Sequence, residues 1–315
     1  MISARTAAAP ATAPSAKKRP EQEGAATTRI VFPALVAALV LLLPGAAATA
    51  DDTAVQRGAY IFAAADCQGC HTDIKNNGKP LAGGRPLATP FGTFYGPNIT
   101  PDPKTGIGDW TEAQFHRALR EGINEHGHYM YPVFPFASFT GMTDGDIADL
   151  WAYLRTREPV AQRNKRHEVM PPFGWRFGLA FWRLLFFRPG PMQDDPEHDA
   201  EWNRGAYLAN AVVHCGECHT PRNFLGAMKA GQSYGGNPAG PDGQKAPNIT
   251  PDPAKGIGKW SLEDIETVLK TGQTPEFDFV GSGMAEVVKG TSQLTDADRR
   301  AIAVYLKSLK PIPGS

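Results

Sequence analysis

Cysteine placement constrains this chain more than any other feature. All four cysteines fall in two copies of one five-residue pattern, Cys67-Gln68-Gly69-Cys70-His71 and Cys215-Gly216-Glu217-Cys218-His219, 148 residues apart. Two thiols three positions apart can add to the two vinyl groups of one haem, and the imidazole that follows then meets the iron from the proximal side. The pattern points to two covalently bound c-type haems. Cys67, Cys70, Cys215 and Cys218 are the attachment residues, and His71 and His219 the proximal iron ligands. Zinc would need the two knuckles to converge on one ion, or each to recruit two further ligands, and no cysteine is spare. A redox dithiol or a structural disulfide is the other reading of a Cys-x-x-Cys pair.

Thioether attachment of haem calls for export, and the amino terminus supplies a route. Lys17, Lys18, Arg19 and Arg29 precede an apolar run from Ile30 to Leu43, and a small-residue stretch ends at Ala48-Thr49-Ala50 before Asp51. Basic, apolar and small residues in that order read as a secretory signal cleaved after Ala50, with an extended N-region. The apolar run contains Pro33 and is shorter than the roughly 20 residues that span a bilayer, so a permanent anchor is the weaker reading. The expected location is the bacterial periplasm, at the outer face of the inner membrane. The full chain carries 32 basic and 32 acidic side chains; residues 1–50 hold five of the former and two of the latter, leaving the mature chain near −3. Nucleic acid, which favours a basic patch, is not an expected partner.

The second half repeats the first beyond the cysteine motif. Arg57-Gly58-Ala59-Tyr60 matches Arg204-Gly205-Ala206-Tyr207, Pro97-Asn98-Ile99-Thr100-Pro101-Asp102 matches Pro247-Asn248-Ile249-Thr250-Pro251-Asp252, and Trp110 matches Trp260. The offset grows from 147 through 150 to 152, where Thr143-Asp144 matches Thr295-Asp296, in unchanged order, as duplication with small insertions requires. The expected organisation is two tandem all-α domains, 51–157 and 200–315, joined by an aromatic-rich segment, 158–199. Each copy begins with a helix carrying Arg-Gly-x-Tyr. A Gly/Pro-rich loop follows the cysteine motif, from Asn76 to Gly108 and from Arg222 to Gly258, with no periodicity. Thr111 and Ser261 are candidate N-caps, and final helices are expected over 144–157 and 296–310. Loops this long are tolerable because a large apolar macrocycle supplies core that a small domain lacks.

Within the joining segment, Phe173 to Phe187 is rich in aromatic residues but interrupted by Arg176 and Arg183. That excludes a comfortable membrane span. It leaves a connecting helix between the domains, or an interfacial helix that docks on a membrane or a partner.

The sixth ligands differ between the copies. Met284, expected in a glycine-bearing loop before the last helix, is the distal ligand of the second iron. At the matching place in the first copy stands Tyr131-Pro132-Val133-Phe134, without methionine. Met130 is the first choice there; His128, His126, Met142 and an open iron are the alternatives. The carbonyls of Pro97 and Pro247 are candidate acceptors for the proximal imidazoles, and Trp110, Trp260, Tyr60 and Tyr207 are candidate partners of haem propionates.

With these motifs the chain resembles the c-type dihaem cytochromes that serve as electron-transfer subunits of periplasmic, membrane-associated alcohol and gluconate dehydrogenases. Arg-Gly-x-Tyr, Cys-His-Thr-Pro-Arg-Asn at 218–223, both Pro-Asn-Ile-Thr-Pro-Asp segments and Met284-Ala285-Glu286-Val287-Val288 carry the resemblance. It implies a tandem cytochrome c fold without catalytic activity of its own, passing electrons from a dehydrogenase toward a respiratory-chain acceptor. In such relatives a methionine commonly stands where Phe134 does here. A dihaem enzyme, peroxidase-like and with an open iron in domain 1, is the alternative, and a sensor built on such an iron is a third reading. The intact mass of the exported protein is expected to equal residues 51–315 plus two haems, with one haem lost when Cys67 and Cys70 are both replaced by alanine. A mass with fewer than two haems contradicts the reading.

Overall fold

The computed structural model describes residues 50–313. The leader expected over residues 1–50 therefore lies outside the described residues, apart from Ala50. Helix α1 (Ala50–Ala64) carries Arg57 and Tyr60 and runs toward the first cysteine motif, on α2 (Cys67–His71). Strands β1 (Pro86–Thr89) and β2 (Gly92–Tyr95) follow, then α3 (Glu112–Glu121), the single turn α4 (Phe136–Phe139) and α5 (Asp144–Arg155). The joining segment contributes β3 (Glu168–Val169) and α6 (Phe177–Phe186). The second copy repeats the order with α7 (Ala200–Tyr207), α8 (Gly216–His219), α9 (Leu262–Thr271), α10 (Ser282–Thr291) and α11 (Asp296–Ser308).

The helix starts follow from local chemistry. Thr111 and Ser261 each close a reciprocal capping box, with Gln114 and Asp264, so two otherwise unpaired backbone donors are satisfied at each start. Thr143 and Thr295 cap α5 and α11 through Asp146 N and Asp298 N. The final helices end two residues short of the expected boundaries.

The architecture is mostly helical, but all-α needs a correction. β1 and β2 form an antiparallel hairpin with Pro86 opposite Tyr95, and β3 joins as a third strand in the order β1-β2-β3. Leu87, Thr89, Thr93 and Phe94 are β-formers placed around Pro90-Phe91-Gly92, a turn signal that the surrounding Gly and Pro obscure.

In each copy the first and last helices cross closely. α1 packs against α5, and α7 against α11. A Cβ on Gly58 would lie 1.9 Å from Asp149 O, and one on Gly205 1.9 Å from Ala301 O. Beside each crossing an Arg–Asp pair closes the contact: Arg57 donates to both carboxylate oxygens of Asp149 at 2.5 and 2.8 Å, and Arg204 to those of Asp298 at 2.9 and 2.7 Å. Ile61, Ile147, Leu150 and Leu154 fill the core beneath the first crossing, and Leu208, Ile302 and Leu306 the core beneath the second.

The two copies are tied by a reciprocal exchange of tyrosines. Tyr60 of α1 donates to Asp298 at 2.6 Å and accepts from Thr295 N at 3.0 Å, at the start of the second copy's α11. Tyr207 of α7 donates to Asp146 and accepts from Thr143 N at 3.1 Å, at the start of the first copy's α5. These hydroxyls are thus committed to the opposite copy. The expected propionate role of Tyr60 and Tyr207 is set aside, because neither lines the cavity described below.

α6 touches both copies, its Trp182 Nε1 donating to Leu225 O at 3.1 Å and its Arg183 to Glu121 O. Among the described residues no helix is long and apolar enough to cross a membrane. Gly58→Ala and Gly205→Ala are each expected to destabilise the protein by about 2 kcal/mol or more, since a methyl must force two backbones apart. Chemical denaturation checks this, and unchanged midpoints would refute the close crossing.

Candidate functional site

Each cysteine motif is a single helical turn entered through a left-handed residue, Asp66 (φ 45°) and His214 (φ 48°). The Asp66 carboxylate accepts from Gly69 N at 3.1 Å and stabilises the first turn. Cysteines at positions i and i+3 of such a turn share a face, and in both motifs that face lines one cavity.

The proximal imidazoles are held alike. His71 Nδ1 lies 2.7 Å from Pro97 O, and His219 Nδ1 lies 2.7 Å from Pro247 O. A proline carbonyl can only accept, so Nδ1 carries the proton. Burial holds both imidazoles below the usual histidine range, which keeps them neutral. The lone pair is therefore on Nε2, the tautomer a metal requires.

The thiols are shifted the other way. Burial pushes Cys67 well up, Cys70 and Cys215 to about 12, and Cys218 to about 11. Redox dithiols depend on lowered thiol pKa values, so this environment opposes that reading. Zinc needs several donors gathered together, and among the described residues no group of three or more His, Cys, Asp and Glu is so placed.

Both motifs open on the same cavity of about 1470 Å³. Ordinary ligand pockets run to about 300–1,000 Å³, so the space exceeds what one small ligand needs. Ile99, Leu119, Trp110 and Leu154 contribute from the first copy, and Ile249 and Trp260 from the second. Large volume, apolar walls, paired thiols and an Nε2 lone pair in each motif fit a covalently attached haem.

A family model described as cytochrome c matches residues 55–158. The chain is 43% identical over 260 residues to a "Diheme cytochrome c-type" protein of Cereibacter sphaeroides, covering 81% of this chain and 86% of that protein. The chain belongs to the c-type cytochromes. The cytochrome is also 42% identical over 274 residues to the cytochrome c subunit of an alcohol dehydrogenase (quinone) from Gluconacetobacter polyoxogenes, covering 84% of this chain and 58% of the relative. It is 43% identical over 265 residues to a subunit of the nicotinate dehydrogenase of Pseudomonas putida, covering 82% of this chain and 22% of the relative. The cytochrome thus spans little more than half of the first of these subunits and about a fifth of the second.

On the distal side, the cytochrome places Met284 in the first turn of α10 rather than in the expected loop, where it lines the cavity. In the first copy only one of the candidate side chains reaches that space. Met130 lines it, as does Phe134. Met142 is fully buried in the hydrophobic core and is not part of the cavity wall. His126 points outward, paired with Glu125 at 3.3 Å, and His128 lies against its ring; neither lines the cavity. The backbone register explains the mismatch between copies. Met130 N donates to Gly122 O and Val280 N to Gly272 O, both at 2.9 Å, so Met130 corresponds to Val280 and Met284 to Phe134.

Two cavity-lining histidines escape sequence reasoning. His167 Nδ1 accepts from Tyr95 N at 3.1 Å. Burial, with the nearby Arg176 guanidinium, holds that ring below the usual histidine range, and its Nδ1 is engaged as an acceptor. His214 directs Nε2 to Ala65 O at 3.3 Å. Its place beside Cys215 is a visible signal; His167 has none.

Met284→Leu and Met130→Leu are each expected to remove about half of the methionine-to-iron absorption of the oxidised cytochrome, while Met142→Leu leaves it unchanged. Loss of that absorption in Met142→Leu would reverse the assignment.

Proposed function

We propose that the chain is an exported dihaem electron carrier, built of two tandem cytochrome c domains and acting as the redox subunit of a dehydrogenase. Haem iron supplies one-electron chemistry when bound. Cys67, Cys70, Cys215 and Cys218 would hold the two groups, His71 and His219 would bind the irons from one side, and Met130 and Met284 from the other. The observation that carries this reading is that both attachment turns, with their neutral imidazoles, open on one continuous cavity. Two redox groups in one apolar enclosure suit relay within the protein.

The partner class comes from the relatives, which are named as subunits of alcohol (quinone), nicotinate, fructose and gluconate dehydrogenases. On this reading electrons enter from a dehydrogenase and leave toward a respiratory-chain acceptor at the outer face of the inner membrane, with peripheral membrane association. The leader-like segment at residues 17–50 supports export. Each proximal imidazole is held in one tautomer by a backbone carbonyl, which suits a permanent iron ligand.

Affinity isolation of the tagged protein from its native envelope tests the proposal. A dehydrogenase is expected to co-purify, and addition of its substrate should reduce the c-haem absorption of the complex. A carrier that isolates alone, with haem that no co-purified dehydrogenase reduces, would contradict it.

A further inference from the structure

Met130 stands in a loop, whereas Met284 stands in a helix. Met284 is the third residue of α10, and in its loop Met130 donates its N–H to Gly122 O at 2.9 Å. Both neighbours of Met130, however, are gripped from outside by the segment that joins the copies. The Tyr129 carbonyl accepts from Arg176 Nη1 at 2.9 Å, and the Tyr129 ring lies under the Arg183 guanidinium at 4.6 Å. The Tyr131 hydroxyl donates to Gly174 O at 3.2 Å, and the Tyr131 ring lies under Arg176 at 5.3 Å. Arg183 is itself anchored to Glu121 O at the end of α3 and over the Phe187 ring at 4.7 Å. α6 is seated through buried Leu179 and through Trp182, which donates to Leu225 O at 3.1 Å, while Phe177, Phe181 and Leu185 border the same cavity as Met130 and are exposed.

In the second copy Arg85 holds α10 through Glu286 at 2.6 Å, but among the described residues no arginine lies on the aromatic rings of the matching loop. Phe279 occupies the place of Tyr129, since Gln273 pairs with Phe279 as Ile123 pairs with Tyr129. Phe277 and Phe279 are 83% and 65% exposed. A joining segment occurs once in the chain, and it covers the loop whose methionine has no helix.

We propose that residues 174–183 form a clamp whose positioning residues, Arg176 and Arg183, hold Met130 toward the cavity and thereby set the sixth ligand of the first haem. The proposal rests on Met130 being that ligand. Arginine suits the task because one guanidinium can donate to a carbonyl while lying on an aromatic face. Removing either guanidinium should shift the balance between bound and released methionine by roughly fivefold to tenfold.

The test compares the purified dihaem protein with Arg176→Gln, Arg183→Gln, the double variant, Arg176→Lys and Met130→Leu. The readouts are the methionine-to-iron absorption of the oxidised form and the rate of carbon monoxide uptake by the reduced form. Covalent haem content and circular dichroism serve as fold controls. Met130→Leu is expected to lose about half the band. The double variant should keep two haems and the share due to Met284, weaken the rest, and take up carbon monoxide at least about tenfold faster; Arg176→Lys should restore most of the band. If Met130→Leu alters the first haem and the double variant behaves as wild type, the clamp is refuted and the ligand assignment stands. If Met130→Leu changes nothing, the assignment fails and the clamp with it. Should Arg183→Gln not fold, Arg176→Gln, at a residue that is exposed, carries the comparison: a weakened band supports the clamp and an unchanged one overturns it.

Discussion

Each copy of the repeat is organised around one hydrogen bond, from imidazole Nδ1 to a proline carbonyl 26 or 28 residues later, at 2.7 Å in both cases. The Gly/Pro-rich loop must return its chain to that point, and its backbone is paired on the way. Gly83 N reaches His71 O, and Ile99 N reaches Leu81 O; Gly236 N reaches His219 O, and Ile249 N reaches Tyr234 O. The asparagine after the proline then staples the loop to the chain just beyond the last helix of its copy, Asn98 to Val160 O and Asn248 to Ile312 O, both at 2.7 Å. An irregular loop stays fixed because its backbone groups are paired at these points, not because it has a regular lattice.

The copies are then made to share one enclosure. Tyr60 and Tyr207 exchange places at the helix starts of the opposite copy, and Ser138 donates to Glu217 inside the second cysteine motif at 2.7 Å. Arg85 adds a third link: it donates to Gly69 O within the first motif and to Glu286 at 2.6 Å, one half-turn beyond Met284. If each motif holds a haem as proposed, a relay between them would need a fixed relation between the copies, and these contacts tie them through residues far apart in sequence.

Local signals in the sequence are reliable because they act over a few residues. The cysteine spacing falls on single helical turns, and Thr111 and Ser261 cap their helices. Legibility fails where the deciding partner is distant. Nothing local marks Tyr60 for Asp298, 238 positions away, so a tyrosine near a haem motif reads as a propionate ligand. The hairpin is hidden by the surrounding turn residues, and Met284 resembles a loop residue because Gly281 and Gly283 flank the start of a helix. By sequence position Met142 ranks behind Met130. Burial separates them, since one fills the core and the other faces the cavity.

On the proposed reading, electron transfer through this chain would turn on two low-spin haems, each held by a histidine and a methionine. The most direct measurement is a spectroelectrochemical titration of the purified protein, followed by exposure of the reduced form to carbon monoxide. Two one-electron steps, both from covalently bound haem and both indifferent to carbon monoxide, are the predicted result. A single step, or a haem that binds carbon monoxide at once, would contradict it.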